Sequence, residues 1–446
     1  MASDLLSIGL SGAKAARIGL DVTAQNISNA ATDGYVRRTI GLSEVASTGY
    51  NQNVRDVSLS GVRVDRIVRN ADAFRQSEVR RTGSDTARAD AEVKGLGNIE
   101  SALEQSAVYP AIIGFESALQ KLKEDPVDTS LRASVIEAAR TMGATFQIAT
   151  KEMAAVGRGL QFEASNGVTQ VNRIAGELAR TNLRLARAAD ASSDQTALLD
   201  QRDKLLADLS QYGDIGTTIA QDGSVTVTFG SASPVTTLVS AGSTAPLAMT
   251  TAADGTIDYT LGGNPLSLSG GSLAGQQLAL GKLTQLQGDL DNLAASIVTT
   301  VNTAQGAGND RDGNPGADLL AGNSAATISL ATSDPAKIAT APSGAPKDSR
   351  DASNLDALRS ALSTADPSGK MDGILFDISA SVSGRTITRD ALSTISDAAK
   401  TALAAQTGVD LDAEGVNLVR YQQAFQASGR VMQVATSIFD SLLQIR

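Results

Sequence analysis

The chain has 446 residues, of which 42% are hydrophobic and 3% aromatic, and a formal net charge of −10 at pH 7. This length accommodates two or three domains, and the acidic balance argues against a nucleic-acid partner. The sequence lacks both cysteine and histidine, which excludes disulfides, Cys–His and Ser–His–Asp nucleophile arrangements and the usual zinc sites. We therefore predict a protein that is not an enzyme and has no cofactor or metal.

The N-terminal stretch "MASDLLSIGLSGAKAARIGL" has no basic region before its apolar residues. It therefore predicts no cleaved signal peptide. No run of about 20 apolar residues occurs anywhere in the sequence, so we also predict no transmembrane helix.

The first predicted element is an N-terminal helix whose apolar side is built mostly from small residues. One stripe with three-four spacing comprises Leu6, Gly9, Ala13, Ala16, Leu20, Thr23 and Ile27. The adjoining stripe comprises Leu5, Ile8, Gly12, Ala15, Gly19 and Val22. Each glycine costs about 1 kcal/mol of helix stability, so this helix should form fully only when it is packed. Small residues also allow a close approach of the large side chains predicted at the C-terminus.

The next predicted elements are helices around 86–106 and 130–157, a heptad segment over 168–189, and a shorter helix over 197–212. In the heptad segment, Asn182 is a polar residue in an otherwise apolar seam. Such a residue can set the register of packed helices.

A small β domain is predicted over 213–275. No Lys, Arg or Glu occurs between Lys204 and Lys282, and "GSVTVTF" (223–229) and "TIDYTL" (256–261) alternate as strands do. The pairs Asp222-Gly223 and Asp254-Gly255 are hairpin turn signals.

After the β domain, a heptad pattern over 283–304 predicts another helix, and the Pro- and Gly-rich stretch 306–350 predicts loops with short elements. Within it, "NDRDGNPGADLL" resembles a calcium loop. Pro315 stands where that loop needs glycine, and Ala321 stands where it needs glutamate, so we predict a solvated turn.

The chain ends with a helix over 390–406 and a C-terminal amphipathic helix with a wide apolar side. Its first stripe comprises Leu418, Tyr421, Phe425, Ser428, Met432, Ala435, Phe439 and Leu442. A second stripe comprises Ala424, Ala427, Val431, Val434, Ile438 and Ile445. A two-stranded coiled coil needs only the first stripe, so the wider side predicts more than one neighbour.

These elements predict a mainly α fold with an inserted β domain. We expect an elongated helical bundle or coiled coil formed by the N- and C-terminal helices, plus a small antiparallel β domain. The predicted domains are nested: 1–85 with 408–446 as a terminal coiled-coil assembly layer, 86–212 with 276–407 as a helical body, and 213–275 as the β insertion.

Both ends of the chain resemble signatures of flagellar rod, hook and hook-associated proteins. At the N-terminus the resemblance lies in "GLSGAKAARIGLDVTAQNISNAATDGYVRR", which ends in Thr32, Asp33, Gly34 and Tyr35. At the C-terminus it lies in "GVDLDAEGVNLVRYQQAFQASGRVMQVATSIFDSLLQI", most densely in "YQQAFQAS".

Internal motifs narrow the resemblance to the flagellar hook-associated protein 1 family. The motifs are "GVRVDRIVRNADAFRQSEVRR" (61–81), "LLDQRDKLLADLS" (198–210) and "VNTAQGAGNDRDGNPGADLL" (301–320). The segment after Phe74 departs from the family pattern, and the inserted middle is short. This places in question the further outer domain that larger relatives carry.

The resemblance implies a structural adaptor between the hook and filament of the bacterial flagellum. It implies type III export without a cleaved signal, an extracellular location, and self-assembly into a ring. The implied partners are copies of the chain, the hook protein, a second hook–filament junction protein and a cytoplasmic chaperone on the C-terminal helix. The predicted assembly interface comprises Leu6, Gly9, Ala13, Ala16, Leu20, Ile27, Tyr35, Leu418, Tyr421, Phe425, Met432, Phe439 and Leu442.

Three alternatives remain open from the sequence. The terminal stripes could pack within a single chain as an ordinary helical bundle. The protein could be another flagellar axial component, in the hook or distal rod. It could also be a secreted enzyme or adhesin that uses the β domain, although the chain has few aromatic residues with which to bind sugars.

Overall fold

The computed structural model of the protein describes residues 2–32, 34–47, 58–188, 192–232 and 234–444. The fold is mainly α, with long helices at both ends of the chain and small antiparallel sheets, as predicted. In chain order the helices are α1 (Ala2–Ser28), α2 (Ala73–Gln105), α3 (Val108–Leu122), α4 (Thr129–Leu185), α5 (Ser193–Ser210), α6 (Gly271–Gly306), α7 (Ser353–Ala365), α8 (Pro367–Thr407) and α9 (Leu411–Gln444).

The strands form several short antiparallel pairings. In chain order they are β1 (Arg38–Ser47), β2 (Ser58–Arg69), β3 (Ile215–Ile219), β4 (Val225–Phe229), β5 (Ser231–Ala232), β6 (Thr237–Ser240), β7 (Ser243–Thr244), β8 (Leu247–Thr251), β9 (Ile257–Leu261), β10 (Asn264–Ser267), β11 (Gly308–Asn309), β12 (Leu320–Ala321), β13 (Ser329–Leu330) and β14 (Ala341–Pro342). A 3₁₀ turn spans Pro335–Lys337.

The chain folds into two compact units. The first comprises Met1–Ser84, Val171–Pro246 and Ser393–Arg446, and the second comprises Asp85–Gln170 and Leu247–Leu392. Each unit is therefore discontinuous in sequence. These units divide the chain at positions other than the boundaries of the three predicted nested domains. The nested domains remain a prediction.

The predicted helices all occur, but two of them are parts of one longer helix. The segments 130–157 and 168–189 fall largely within α4, which runs unbroken for 57 residues. Gly157 and Gly159 lie between the two segments and weaken the helical pattern there. Leu160 and Ala164 in the same stretch are buried, and their packing compensates for that cost.

Asn182 fixes a helix to a strand and is therefore not a register residue between helices. Its side-chain amide donates to the backbone oxygens of Val225 (2.8 Å) and Ala241 (2.9 Å), and its oxygen accepts from Val225 N (2.9 Å). Buried polar groups need such partners. Asn182 therefore anchors α4 to β4 within the first unit.

The predicted strands and turns of the β region are confirmed. Strands β3, β4, β6 and β7 form one sheet in the first unit, and β8–β10 are antiparallel neighbours in the second. Both Asp-Gly turns have their glycine in the left-handed region, with φ of 80° at Gly223 and 87° at Gly255. The preceding aspartates accept backbone hydrogen bonds from Ser224 and Thr256.

A β-hairpin formed by β1 and β2 is an element that the sequence interpretation missed. Its strands pair antiparallel from Arg38 opposite Arg69 to Ser47 opposite Ser58, and residues 48–57 between them lie outside the described residues. The alternation in "GVRVDRIVR" is a period-two signal. The prediction of a coiled-coil layer over the whole segment 1–85 leaves no place for these strands.

A buried arginine, Arg132 of α4, is one of the residues that hold the irregular stretch 306–350 in the second unit. Its guanidinium donates to the backbone oxygens of Pro126 (2.6 Å) and Ile338 (2.8 Å) and to Thr340 Oγ1 (2.8 Å). Residues 306–350 thus contribute to the core of this unit.

Candidate assembly interface

Helices α1 and α9 pack together as an antiparallel terminal helix pair. A Cβ added at Gly9 would lie 2.7 Å from Met432 Cγ, and one added at Gly19 would lie 2.7 Å from Tyr421 Cδ1. At Gly12 an added Cβ would lie 2.7 Å from Ser428 Oγ. The small-residue stripe therefore allows the close approach of the large side chains that the sequence predicted.

The predicted interface residues divide into three sets by burial. Gly9, Ala13 and Ala16 are buried. Leu20, Tyr35, Leu418, Tyr421 and Met432 are half-buried. Leu6, Ile27, Phe425 and Phe439 are exposed, and Leu442 lies in α9 with its side chain outside the described part of the structure. The first two sets include the residues of the seam between α1 and α9, whereas the exposed ones remain available for another partner.

Both helices of the terminal helix pair also carry large apolar side chains that are exposed. We call the following residues the outer apolar set: Leu5, Leu6, Ile8, Leu10, Phe425, Val431, Val434, Ile438 and Phe439. Val434 is 57% exposed and Phe439 is 54% exposed. Several large apolar side chains that solvent can reach on the same pair of helices are typical of interaction sites. The second predicted stripe of α9 contributes Val431, Val434 and Ile438, while its Ile445 lies outside the described residues.

The β1–β2 hairpin packs against the N-terminal half of α1. Ser11 Oγ accepts from the backbone nitrogen of Val62 at 3.2 Å and donates to the oxygen of Ile8 at 2.8 Å. Gly61 has a φ of 101°, and a Cβ there would lie 2.0 Å from Ser11 Oγ. This contact thus requires glycine for two reasons, its backbone conformation and its lack of a side chain.

The polar turn after α1 folds back on the helix through Asn26. The side-chain oxygen of Asn26 accepts from the backbone nitrogen of Arg38 (3.0 Å) and from the Tyr35 hydroxyl (2.9 Å), and its nitrogen donates to Arg38 O (2.8 Å). The Arg38 guanidinium lies 5.0 Å from the centre of the Tyr35 ring. Burial raises the pKa of Tyr35, so its hydroxyl remains a donor at neutral pH. Asp33, in the same motif, lies outside the described residues.

A network of buried charges joins this turn and the hairpin to α5. Arg38 donates to Asp200 at 2.8 Å, and Arg69 reaches both Asp200 (2.7 Å) and Asp203 (2.8 Å). Arg202 also pairs with Asp203, at 2.6 Å. The two aspartates lie one turn apart on α5, in the "LLDQRDKLLADLS" motif, so that motif and the N-terminal motif meet in the fold.

A second ion pair joins the same turn to α9. Arg37 Nε lies 2.7 Å from Glu414 Oε1, and the glutamate side chain is only 2% exposed. The backbone nitrogen of Arg37 donates to Thr407 O at 3.0 Å. Residues 35–38 therefore hold the beginning of α9, the end of α1 and α5 at one place. The predicted interface included Tyr35 but missed the charged residues, because their partners are distant in sequence.

The buried carboxylate of Asp203 should make the first unit sensitive to acid. Burial by itself would raise its pKa, but the charges of Arg202 and Arg69 and the hydrogen bonds they donate hold the pKa below 3.8. The stabilisation of the folded state by the ionised Asp203 carboxylate is therefore complete well above pH 3.8, the pKa of an unperturbed aspartate. It is lost as the pH falls through the lower pKa that Asp203 has in the folded protein.

Replacement of Asp203 by asparagine should destabilise the first unit at pH 7 by about 2–4 kcal/mol, because it leaves two buried guanidinium groups with one fewer anion. The difference in melting temperature between wild type and Asp203→Asn, followed by circular dichroism from pH 7 to pH 3, should narrow below about pH 4. A difference that stays constant over this range would contradict the assignment.

The loop that resembles a calcium site folds as a turn closed by lysines. Asp310 accepts from the backbone of Asn314 at 2.9 Å and pairs with Lys337 at 2.9 Å. Asp312 lies 3.6 Å from Lys337 and 3.7 Å from Lys347. Within the described ranges, no cluster of three acidic side chains could hold a metal ion. In the same part of the chain, no helix is long and apolar enough to cross a membrane.

Comparison with known families matches three parts of the chain. The model described as the flagellar hook-associated protein FlgK helical domain matches residues 96–320, half of the chain. The flagella basal body rod protein model matches 6–35, which lies in α1 and the turn after it. The model described as flagellar basal body rod FlgEFG protein C-terminal matches 404–445, which includes α9.

Curated relatives carry the name flagellar hook-associated protein 1. The Salmonella typhimurium protein is 26% identical over 338 residues, which cover 71% of this chain and 59% of the relative. The Bacillus subtilis protein is 22% identical over 491 residues, covering 96% of this chain and 95% of the relative. The chain therefore spans less than two thirds of the Salmonella protein and nearly the whole of the Bacillus protein.

A solved structure shares the fold. The flagellar hook junction protein FlgK from Burkholderia pseudomallei aligns with a TM-score of 0.65 at 14% identity, over 73% of this chain and 99% of that one. Because the FlgK helical-domain model matches half of the sequence, the chain belongs to the FlgK family of flagellar hook-associated proteins.

Proposed function

We propose that this chain is a structural subunit at the junction between the hook and the filament of a bacterial flagellum. In this proposal it assembles with copies of itself through the outer apolar set of the terminal helix pair. The observation that carries the proposal is the division of the two terminal helices into a small-residue seam, which is satisfied within the chain, and large apolar side chains that are not.

The physical reason for assembly is the solvent exposure of these side chains. Burying a large apolar side chain that is fully exposed contributes about 1.5–3 kcal/mol. Val434 and Phe439 are more than half exposed, so covering them and their neighbours with a different surface of an adjacent copy is favourable. A ring of copies arranged head to tail would bury the set on every subunit.

The other implied partners belong to the same proposal. The hook protein and a second hook–filament junction protein would contact the ring from either side. Before export through the type III channel, a cytoplasmic chaperone would cover the apolar residues of α9. Export without a cleaved signal would place the protein outside the cell, on the flagellum.

A second candidate is another flagellar axial role, in the hook or the distal rod. The two rod-protein models that match the ends of the chain favour it. The FlgK helical-domain match over 96–320 favours the junction. Immunogold labelling of purified flagella distinguishes them, because the junction role requires label at the hook–filament boundary.

Substitution of Val434 by aspartate should prevent junction assembly without unfolding the isolated protein. Its side chain is exposed, so the change in stability should stay within about 0.5 kcal/mol. A charge at this position would be expensive to bury between subunits. In cells that lack the wild-type gene, the Val434→Asp variant should give hooks without attached filaments, counted by electron microscopy.

The matched control is Gln433→Asp, which adds the same charge at the neighbouring exposed residue of α9. It should keep most filaments. Filaments of normal number on cells that carry Val434→Asp would refute assembly through the outer apolar set. Equal melting temperatures of the two purified variants exclude misfolding as the cause.

A further inference from the structure

The terminal helix pair contains a cleft of about 220 Å³ that apolar contacts between copies leave unused. It lies between α1, the first residues of β1 and the N-terminal part of α9. Three arginines line it, Arg37, Arg38 and Arg420, together with one acidic residue, Glu414. We call it the arginine cleft. A cleft lined by an excess of one sign of charge attracts groups of the opposite charge.

Carboxylates of the same chain pair with two of these arginines and leave the third without an anion. Arg37 Nε lies 2.7 Å from Glu414 Oε1, and Arg38 Nη2 lies 2.8 Å from Asp200 Oδ2. Arg420, in contrast, has no ion pair within the residues that the structure describes. Its side chain is exposed. The lining of the cleft therefore carries a positive charge that a carboxylate from outside the molecule could neutralise.

Arg420 is held in place by the tyrosine that follows it. Its guanidinium carbon lies 5.1 Å from the centre of the Tyr421 ring, and its Nη2 donates to the Tyr421 hydroxyl at 3.4 Å. The ring itself is fixed against α1, because a Cβ added at Gly19 would lie 2.7 Å from it. An arginine stacked on a fixed ring has less side-chain freedom to lose when it binds a carboxylate.

An unpaired carboxylate lies at the other end of α9. Asp440 is exposed and makes no ion pair in the described ranges. It follows Ile438 and Phe439, two exposed residues of the outer apolar set. Arg420 likewise follows an exposed apolar residue, Val419. The two charges are 20 residues apart on one helix, or about 30 Å at 1.5 Å per residue, so they cannot meet within a chain.

We propose that Asp440 of one copy binds Arg420 in the arginine cleft of the adjacent copy. This inference rests on the proposed self-assembly and gives it a direction, from the C-terminal part of one α9 to the N-terminal part of the next. Because the contact joins two different surfaces of the chain, it is head-to-tail and can continue from copy to copy. With adjacent α9 helices parallel, it displaces the copies along their axes by about 30 Å.

The charge pair has a role that the apolar side chains cannot supply. Apolar contacts are non-directional, so the outer apolar set by itself permits several alignments of two copies. A charged pair favours the alignment in which the opposite charges meet, and it disfavours those that place like charges together. The planar guanidinium adds geometric specificity, since it can donate two parallel hydrogen bonds to one carboxylate.

Charge reversal tests the pair in cells that lack the wild-type gene. Arg420→Glu and Asp440→Lys should each lower the fraction of hooks that carry filaments by about 10-fold, because each places like charges together. The combined variant Arg420→Glu/Asp440→Lys should restore most filaments, since the pair is formed again with its signs exchanged. The matched control is Arg430→Glu, at an exposed arginine of α9 outside the cleft lining, which should keep most filaments.

Both residues of the pair are exposed and make no ion pair within the described part of the chain, so the purified variants should melt as wild type does. Equal melting temperatures exclude misfolding as the cause of any loss. Filaments of normal number with either single reversal, or no recovery in the combined variant, would overturn the proposal.

Cross-linking tests the contact directly, because the chain has no cysteine of its own. The variant Arg420→Cys/Asp440→Cys has no like charges to repel each other. In isolated flagella, a short bismaleimide should link its copies into oligomers that electrophoresis resolves. The control Arg430→Cys/Asp440→Cys has the same number of thiols, but the proposed alignment keeps them about 15 Å apart, so it should stay monomeric.

Absence of oligomers from flagella in which immunogold labelling places the protein at the junction would overturn this inference and leave the proposed function standing. Absence of label from the junction would instead refute the proposed function itself. The two failures are therefore distinguishable.

Discussion

Replacing Arg132 by methionine should lower the free energy of unfolding of the second unit by about 3–5 kcal/mol, because it removes the donors of several buried carbonyl groups. The side chain of Arg132 is fully buried, and its hydrogen bonds tie α4 to Pro126, Ile338 and Thr340. Burial lowers the pKa of Arg132 to about 10, so the guanidinium is still charged at neutral pH. Methionine can fill part of the space but donates no hydrogen bond.

The effect should be greatest in the irregular stretch 306–350, which has few regular backbone hydrogen bonds of its own. Hydrogen exchange with mass spectrometry should show loss of protection around residues 335–342 in Arg132→Met, together with a lower melting temperature. The matched control is Arg140→Met on the same helix, where the side chain is 54% exposed and pairs with Glu137, one turn away. An exposed ion pair contributes less than about 1 kcal/mol, so this control should melt close to wild type.

Unchanged exchange in residues 335–342 of Arg132→Met would show that the stretch is held by its other contacts. These include Gln305, whose side-chain oxygen accepts from the backbone nitrogen of Ala339 at 2.6 Å. The variant Gln305→Ala distinguishes attachment through Arg132 from attachment through Gln305. If Gln305 holds the stretch, Gln305→Ala should increase exchange in residues 335–342, whereas Arg132→Met should not.

Elements that depend on local sequence could be predicted. The strands around 223–229 and 256–261 are marked by alternation and by Asp-Gly turns, and both signals lie within a few residues of the structure they specify. The wide apolar side of α9 and the small-residue stripe of α1 are likewise periodic patterns in a single helix. Such patterns predict which face of a helix is buried. In the structure, Gly9 and Gly19 of the small-residue stripe lie against α9.

Features that join distant parts of the chain could not be predicted. Arg38 and Asp200 are 162 residues apart and Arg37 and Glu414 are 377 apart, yet each pair forms an ion pair. The acidic residues Asp200 and Asp203 on one face of α5 were visible in the sequence, and so were the paired arginines after Tyr35. Nothing in a single sequence indicates which of its 38 basic residues would meet them.

The same limit applies to the predicted interface. Periodicity identified the apolar side of each terminal helix but could not tell which residues would be covered within the chain. In the structure, Gly9, Ala13 and Ala16 are buried within the chain, whereas Phe425 and Phe439 are exposed. The two sets should therefore respond differently to substitution.

Replacing Gly19 by leucine should separate α1 from α9 in the isolated protein. Even the Cβ of a residue at this position would lie 2.7–2.9 Å from three atoms of the Tyr421 ring, and leucine adds three more carbons. Overpacking of this kind costs about 1–3 kcal/mol where neighbours can shift. Since α1 contains three glycines and is weak by itself, loss of its partner should also unfold much of the helix.

Circular dichroism should show lower helix content for Gly19→Leu, and hydrogen exchange should show loss of protection in α1 and α9. The matched control is Gly429→Ala in α9, where an added Cβ meets nothing within 4 Å. This control should be neutral or more stable by about 0.5–1 kcal/mol, because alanine favours the helix over glycine.

Together with Val434→Asp, this variant separates pairing within the chain from assembly between chains. Gly19→Leu should lose both the protection of the helices and the junction, because the outer apolar set is presented only when α1 and α9 are paired. Val434→Asp should lose the junction alone. If Gly19→Leu lost protection but still supported filaments, the helices would have to assemble one by one with other subunits, and the within-chain pair would not be the unit of assembly.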